Sequence, residues 1–403
     1  MAMKPIKALI SFEEARKLLL DAARPIERVE EVSILEAGGR VLAQKVVADM
    51  DVPPFPRAAM DGYAVRAEDT FVATTLQPVE LSLVGSLHAG EEGHQSLIKG
   101  TCIQIATGAP VPEGTDAVIK VEDTELHGDR VRIYKSVPPM ANLAPKGEDI
   151  RKGTVMLEPG AYLSPSRIGV LAALGISRLH VYARPRVAVI PSGDEVVEPG
   201  RPLGHGRIYD INSYTLASLV QENGGTPRVF PVLPDNQGEM KEAIKKALDF
   251  ELVVISGGSS VGERDLLVAV LGEMGEVVFH GIAVKPGKPT LLARVEGKPV
   301  LGMPGYPTSC LTNGYGLLVP MLRRMARLPE REARLLQVPL ARRVTSTIGR
   351  HQFLPVKVVE REAVPVFKES GAITSMADAD GYIEIPANVD LLEKGDMVEV
   401  TLF

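Results

Sequence analysis

The stretch Glu251-Leu-Val-Val-Ile-Ser-Gly-Gly-Ser-Ser-Val-Gly-Glu-Arg-Asp265 limits the folds open to this chain more than any other. Leu252 to Ile255 is too short for a helix and too continuously apolar for a half-exposed strand, so it predicts a central parallel strand covered on both faces. The run ends in small residues. Gly257, Gly258 and Gly262 reach backbone angles closed to other residues, so successive N–H groups can turn inward around an anion, with the hydroxyls of Ser256, Ser259 and Ser260 as further donors. Asp265, opening the helical pattern that runs to Met274, sets a carboxylate where a phosphate-bound cation could be reached. An isolated Ser-Gly-Gly is as often a tight turn with no ligand.

From Arg184 onward the rest of the pattern agrees with such a strand. Strands are predicted at Arg186 to Pro191, Arg228 to Val232, Leu252 to Ser256, Val277 to Phe279, Thr290 to Arg294 and Pro299 to Met303. Helices fill the gaps at Asn212 to Asn223, with Asn212 as its N-cap, Gln237 to Leu248, Asp265 to Met274 and Thr308 to Arg327. This is the order of a doubly wound, mostly parallel sheet. In such sheets ligands collect outside the carboxyl ends of the strands, where Ser192-Gly-Asp-Glu195, Pro234-Asp235, Ser256 to Asp265 and Met303 to Pro307 fall. The first 180 residues read differently. An amphipathic helix spans Ser11 to Ala23, residues 29 to 150 are short strands parted by Gly and Pro, and Ser164-Pro165 opens a helix to Leu174. The tail from Leu335 is β in character with no helix signal, predicting a small barrel or sandwich. The fold class is therefore multidomain α/β plus β.

Bulk properties exclude several functions. A length of 403 residues implies more than one core. A net charge of −6 argues against general nucleic-acid binding. Glu13, Glu14, Arg16 and Lys17 interrupt any export signal at the N-terminus. Pro299 to Leu322 lacks charge but is broken by prolines and glycines, which argues for a buried strand, loop and helix rather than a membrane span. Cys102 and Cys310 are far apart and support neither a disulfide framework nor a zinc site. A cytoplasmic location and an oxygen-bound metal are expected.

Five further elements carry chemistry. Met60-Asp61-Gly62 sets a carboxylate before a glycine, although Asp-Gly is mostly a turn. Thr107-Gly108 offers a hydroxyl and bare backbone after a strand, or a rigid proline loop. Asp149 lies beside Lys146 and Arg151, which a surface ion-pair cluster would equally explain. Ala283-Val-Lys285-Pro-Gly-Lys288-Pro289 is the sharpest basic element, since its prolines hold two ammonium groups in place, as a small oxyanion requires. Gly302-Met-Pro-Gly-Tyr-Pro-Thr-Ser309 then opens a helix, with Thr308 and Ser309 near free N–H groups and the positive dipole end. Glu195, Asp235 and Asp265 with two lysines and a glycine loop suit a magnesium-assisted reaction on a phosphoanhydride. No Walker A motif or GxGxxG is present.

The motifs MDGYAV, TGAPVPEGTDAV, GEDI, PSGDEV, GRIYDIN, SGGSSVGERD, AVKPGKP and GMPGYPTS, in this order over nearly the whole chain, resemble the molybdopterin molybdenumtransferase family, which includes bacterial MoeA and the E domain of gephyrin. The resemblance implies an elongated homodimer that takes adenylylated molybdopterin and molybdate, inserts the metal into the dithiolene and releases AMP, assisted by Mg2+. It implies four parts: residues 1–26 with 183–328 as a doubly wound domain of the molybdopterin-binding type, 27–50 with 151–182 as a linking domain, 51–150 as a β-rich domain serving the active site across the dimer, and 329–403 as a C-terminal β-barrel. Matched residue by residue, Asp61, Thr107, Asp149, Glu195, Asp235 and Asp265 take active-site positions, and Glu195, Asp235 and Asp265 are the expected metal ligands. Ser256, Gly257, Gly258, Ser259, Ser260, Gly262, Pro304 and Pro307 are expected to bind the cofactor, and Lys285, Lys288, Ser309, Arg350 and Ser375 the molybdate. The family's usual PGNP is Pro304-Gly-Tyr306-Pro here. Molybdopterin adenylyltransferase and apo-molybdoenzymes are candidate partners, with no nucleic-acid or membrane partner. Two alternatives stay open: a molybdopterin-binding scaffold of the same fold without turnover, and a tungstate-inserting homologue.

Overall fold

The structure is a computed structural model that describes residues 9–93, 95–257 and 266–403. The chain divides into two compact units, one of Met1–Glu31, Gly39–Ala43 and His180–Phe403, the other of Val32–Gly38 and Gln44–Leu179.

In the first unit, alternation along the strands builds two cores at once. Leu252 and Val254 enter one apolar cluster with Val187 and Val189, while Val253 and Ile255 enter a second with Ala188 and Ile190. All five residues of Leu252–Ser256 are buried, as a strand covered on both faces must be. The Phe12–Ala22 and Asn212–Glu222 helices cover the first face. The Gln237–Ala247 and Leu266–Met274 helices cover the second. The sheet order is Thr226–Val229, Arg186–Pro191, Leu252–Ser256, Lys298–Met303, Leu291–Val295, Glu276–His280. The first four strands are parallel, and Leu291–Val295 runs antiparallel to both of its neighbours, Lys298–Met303 and Glu276–His280.

Several boundaries differ from the sequence reading. The strand expected at Arg228 to Val232 is Thr226–Val229, because Thr226 N–H donates to Pro185 O at 2.8 Å and Pro231 has no N–H with which to extend the ladder. Asn212 does not cap its helix. Asp210 Oδ1 accepts from Ser213 N at 3.0 Å, while Asn212 Nδ2 reaches Gly305 O at 2.8 Å. The helix expected from Thr308 to Arg327 is three segments: Pro307–Asn313, a π-turn at Gly314–Leu318, and Val319–Met325. Pro320 can neither donate to the carbonyl four residues back nor avoid crowding it, and the wider turn absorbs both problems. Ser11 and Asn236 cap the first and third helices through Glu14 N at 3.0 Å and Gly238 N at 2.9 Å.

The C-terminal sheet of this unit runs Val284–Lys285, His351–Val359, Gly381–Ile385, Met397–Leu402, Arg334–Pro339. Glu362–Pro365 pairs with His351–Val359, and the Leu340–Ala363 bridge joins it to the chain leaving Arg334–Pro339. The strands thereby close into a barrel around Leu354, Val356, Ile383, Val398 and Val400. The expectation of a helix-free tail is corrected by one helical turn at Thr374–Ala377.

The second unit is built on a sheet ordered Ala117–Lys120, Gly62–Val65, Thr101–Ile105, Val79–Leu87, Arg130–Ile133, Thr124–His127. Tyr63 and Val65 face one cluster and Ala64 the other. Ser164 caps the Pro165–Ala173 helix, as the Ser-Pro pair predicts. Among the described residues, no helix is long and apolar enough to cross a membrane. Cys102 and Cys310 are buried and free, and burial pushes the Cys102 thiol up to about 12.

Candidate active site

The carboxyl edge of the parallel strands gathers the starts of all four expected loops. Ser192 N donates to Ser256 O at 2.9 Å, Gly193 N to Leu233 O at 3.0 Å, and Gly257 N to Met303 O at 3.3 Å. Gly257 has φ +88°, and a Cβ there would stand 2.2 Å from Ser192 O, so only glycine fits. Ser256 is buried. Gly258, Ser259, Ser260, Gly262 and Asp265 lie outside the described residues.

Asp235 enters this edge through Ser192 Oγ, 3.3 Å from its Oδ1, and its N–H donates to Asp194 Oδ1 at 3.2 Å. Partial burial, then the charge of Asp194, hold the Asp235 carboxyl above the usual carboxylate range; the Ser192 hydrogen bond opposes them, and Glu195 adds a smaller upward push. Asp194 and Glu195 are exposed. Among the described residues, no group of three or more His, Cys, Asp or Glu side chains forms a ready metal cage.

The proposed oxyanion residues fall into two environments. Val284–Lys285 pairs with the barrel strand, with Lys285 opposite Gln352. Lys285 Nζ donates to Thr347 Oγ1 at 3.3 Å, and the Arg350 backbone N–H donates to Thr347 O at 3.2 Å, so the Lys285 ammonium reaches the turn that carries Arg350. Lys285, Lys288 and Arg350 are half-buried. Asn313, wholly buried, anchors the loop between the lysines by donating from Nδ2 to Gly287 O at 2.9 Å and Thr290 Oγ1 at 2.7 Å. Ser309 and Ser375 are buried instead of open to the surface. The Ser375 hydroxyl accepts from Lys368 N at 3.0 Å.

Thr308 and Ser309 are expected near free N–H groups, but the N–H of Thr308 is itself used, donating to Ser370 O at 3.0 Å, and the Thr308 hydroxyl donates to Ala372 O at 2.8 Å. The barrel loop thus takes both donors of Thr308. Pro304 is buried and Pro307 is the first residue of its helix.

In the second unit Asp61 and Thr107 do meet. Asp61 Oδ1 accepts from Thr107 N at 2.7 Å and from its hydroxyl at 2.9 Å. These two bonds, the backbone one foremost, lower the Asp61 pKa. Gly62 is the first residue of a strand and not a free turn, and a Cβ on it would lie 1.9 Å from Ile119 O. Asp149 is exposed, and its N–H donates to Val52 O at 3.0 Å. The neighbouring Lys146 pairs with Asp51 at 3.5 Å, whose Oδ1 also accepts Lys152 N at 2.8 Å. Sequence reasoning missed Asp51, Thr347 and Asn313. Asn313, a lone amide in an otherwise apolar helix, carried a signal; Thr347 carried none.

A doubly wound sheet with its loops gathered at the carboxyl edge, a closed β-barrel and a separate β-rich unit define a multidomain α/β and β protein. Three family models cover it in order: MoeA N-terminal region (domain I and II) over residues 10–175, "Probable molybdopterin binding domain" over 188–324, and MoeA C-terminal region (domain IV) over 337–403. The chain belongs to the MoeA family. It is 37% identical to the molybdopterin molybdenumtransferase of Haemophilus influenzae, covering 79% of this chain and 78% of that one. It is 34% identical to molybdopterin molybdenumtransferase 2 of Mycobacterium tuberculosis, covering 95% and 96%. A solved structure of a molybdopterin biosynthesis MoeA protein of Pyrococcus horikoshii superposes with TM-score 0.84 at 44% identity, covering 98% of this chain and 99% of that one. A second, at 34% identity, gives 0.83 with 98% and 100% covered.

Proposed function

We propose that the protein is a molybdopterin molybdenumtransferase, which inserts molybdate into adenylylated molybdopterin and releases AMP. The observation that carries this reading is the meeting of Ser192, Gly257 and Asp235 at one sheet edge, where the Asp235 carboxyl is held up by burial and by Asp194. Such an edge gathers carboxylates and suits a hard cation. Asp235, Glu195 and Asp194 offer oxygen donors only, which fits Mg2+, an ion that binds through one or two carboxylates and keeps several waters. When bound, Mg2+ would neutralise charge on the phosphoanhydride.

In this scheme water attacks the adenylyl phosphorus, the phosphoanhydride P–O bond breaks, and AMP leaves. One molybdate oxygen departs as water with two thiol protons as the dithiolene sulfurs take its place. Lys285, Lys288 and Arg350 hold the oxyanion. The reach of the Lys285 ammonium to Thr347, on the turn that carries Arg350, supports this assignment. Asp61, Thr107 and Asp149 serve as further active-site groups, Asp61 as a carboxylate that its hydrogen bonds to Thr107 keep ionised. The protein is further proposed to act as a cytoplasmic homodimer, fed by a molybdopterin adenylyltransferase and emptied by apo-molybdoenzymes. The test is AMP release from adenylylated molybdopterin, followed by chromatography with and without molybdate and Mg2+. Release that needs both supports the reading, and release indifferent to both contradicts it.

A further inference from the structure

Tyr306 is a large aromatic side chain left 66% exposed beside the switch-point edge. It caps the Pro307–Asn313 helix with φ −71° and ψ 128°, an extended conformation that the following proline favours. Its neighbour Gly305 lies against Gly257: the position a Cβ on Gly305 would occupy is 3.6 Å from Gly257 Cα. Between those two glycines no side chain intervenes. On the other side the ring is braced by the barrel loop, with the Cβ position of Gly371 3.6 Å from Tyr306 Cδ1 and 3.9 Å from Cε1. That loop is itself fixed by the bonds from Thr308 to Ser370 O at 3.0 Å and Ala372 O at 2.8 Å. Asn212 Nδ2 holds Gly305 O from below at 2.8 Å. The ring thus stands close to the Gly371 backbone on one side and is open to solvent over most of its surface.

We propose that Tyr306 is a stacking platform for a planar fused heterocycle of the substrate, the pterin or the adenine. This deepens the functional reading above and rests on it. A flat, pre-positioned ring gains stacking without ordering cost, and stacking on an aromatic side chain tolerates any heterocycle with a π-face. Position 306 then sets how tightly the ring system is held.

The chain contains no tryptophan, so Tyr306→Trp introduces a sole indole whose emission reports on its own ring. The full-length variant is titrated with AMP, with molybdopterin and with adenylylated molybdopterin, while equilibrium dialysis measures binding independently. Quenching that follows the dialysis isotherm is expected. Quenching by AMP assigns the platform to adenine, and quenching by molybdopterin assigns it to pterin. Tyr306→Ala should weaken affinity by about tenfold and Tyr306→Phe by no more than about twofold, with thermal midpoints unchanged for so exposed a ring. Dialysis binding to Tyr306→Trp without any change in emission would overturn the proposal, as would parental affinity in Tyr306→Ala. Should the alanine variant fail to fold, the tryptophan arm still decides. A parent protein that binds none of the three ligands is a different result and overturns the functional reading together with the platform.

Discussion

Asp235 and Asp61 are both acids in loops next to strands, and their surroundings push them in opposite directions. Asp235 is raised above 3.8 by burial and by Asp194. Its contribution to stability is therefore present below the unfolded pKa and lost as pH rises through the folded pKa. Asp235→Asn, permanently neutral, should raise the thermal midpoint at pH 7 without divalent cations, and the difference from the parent should close as pH falls toward 3.8. Added Mg2+ should raise the parent's midpoint and not the variant's, a contrast that differential scanning calorimetry reads directly. Asp61 is lowered from 3.8 by two hydrogen bonds from Thr107, so its contribution is present above that value and lost as pH falls through the folded pKa. Asp61→Asn should accordingly lower the midpoint at pH 7. At the oxyanion loop, Lys285→Ala combined with Lys288→Ala should raise half-saturation by molybdate roughly 10- to 100-fold, the worth of one or two charge-assisted hydrogen bonds. AMP affinity in the same protein should stay near that of the parent.

Elements were legible wherever a single strong signal acted alone. The four-residue apolar run at Leu252 to Ile255 gave its strand, the amphipathic pattern from Ser11 to Ala23 gave the first helix, and the pair Ser164/Pro165 gave a helix start. Leu252 is wholly buried, so Leu252→Ala should cost about 3 kcal/mol in chemical denaturation. Elements were misread where tertiary partners competed with local propensity. Asn212 has a good capping side chain, but Gly305 O claims it and Asp210 takes over the cap. Val284–Lys285 lies among α/β elements in sequence and pairs with the barrel strand at His351, a long-range choice that no local pattern encodes. The same limit governs the site. Short-range pairs of chemistry, such as the lysines around Gly287, could be read from spacing. The burial of Ser309 and Ser375, and the loss of the Thr308 N–H to Ser370, depend on a loop more than 60 residues away in sequence.

At the scale of the whole molecule, the family models, the relatives and the solved structures agree over nearly the full chain, so the fold and the class of chemistry stand together. The proposed homodimer should appear in native mass spectrometry at twice the mass of the chain, and a monomer at working concentration would remove it from the account. The central claim concerns what leaves the site and what the pterin gains. The protein is incubated with adenylylated molybdopterin, molybdate and Mg2+; the pterin product is separated, and its molybdenum is measured by inductively coupled plasma mass spectrometry against the AMP released. The account expects molybdenum and AMP to accumulate in equal amounts and both to vanish with Asp235→Asn. AMP released with no molybdenum in the pterin fraction, or molybdenum acquired equally well with Asp235→Asn, would contradict it.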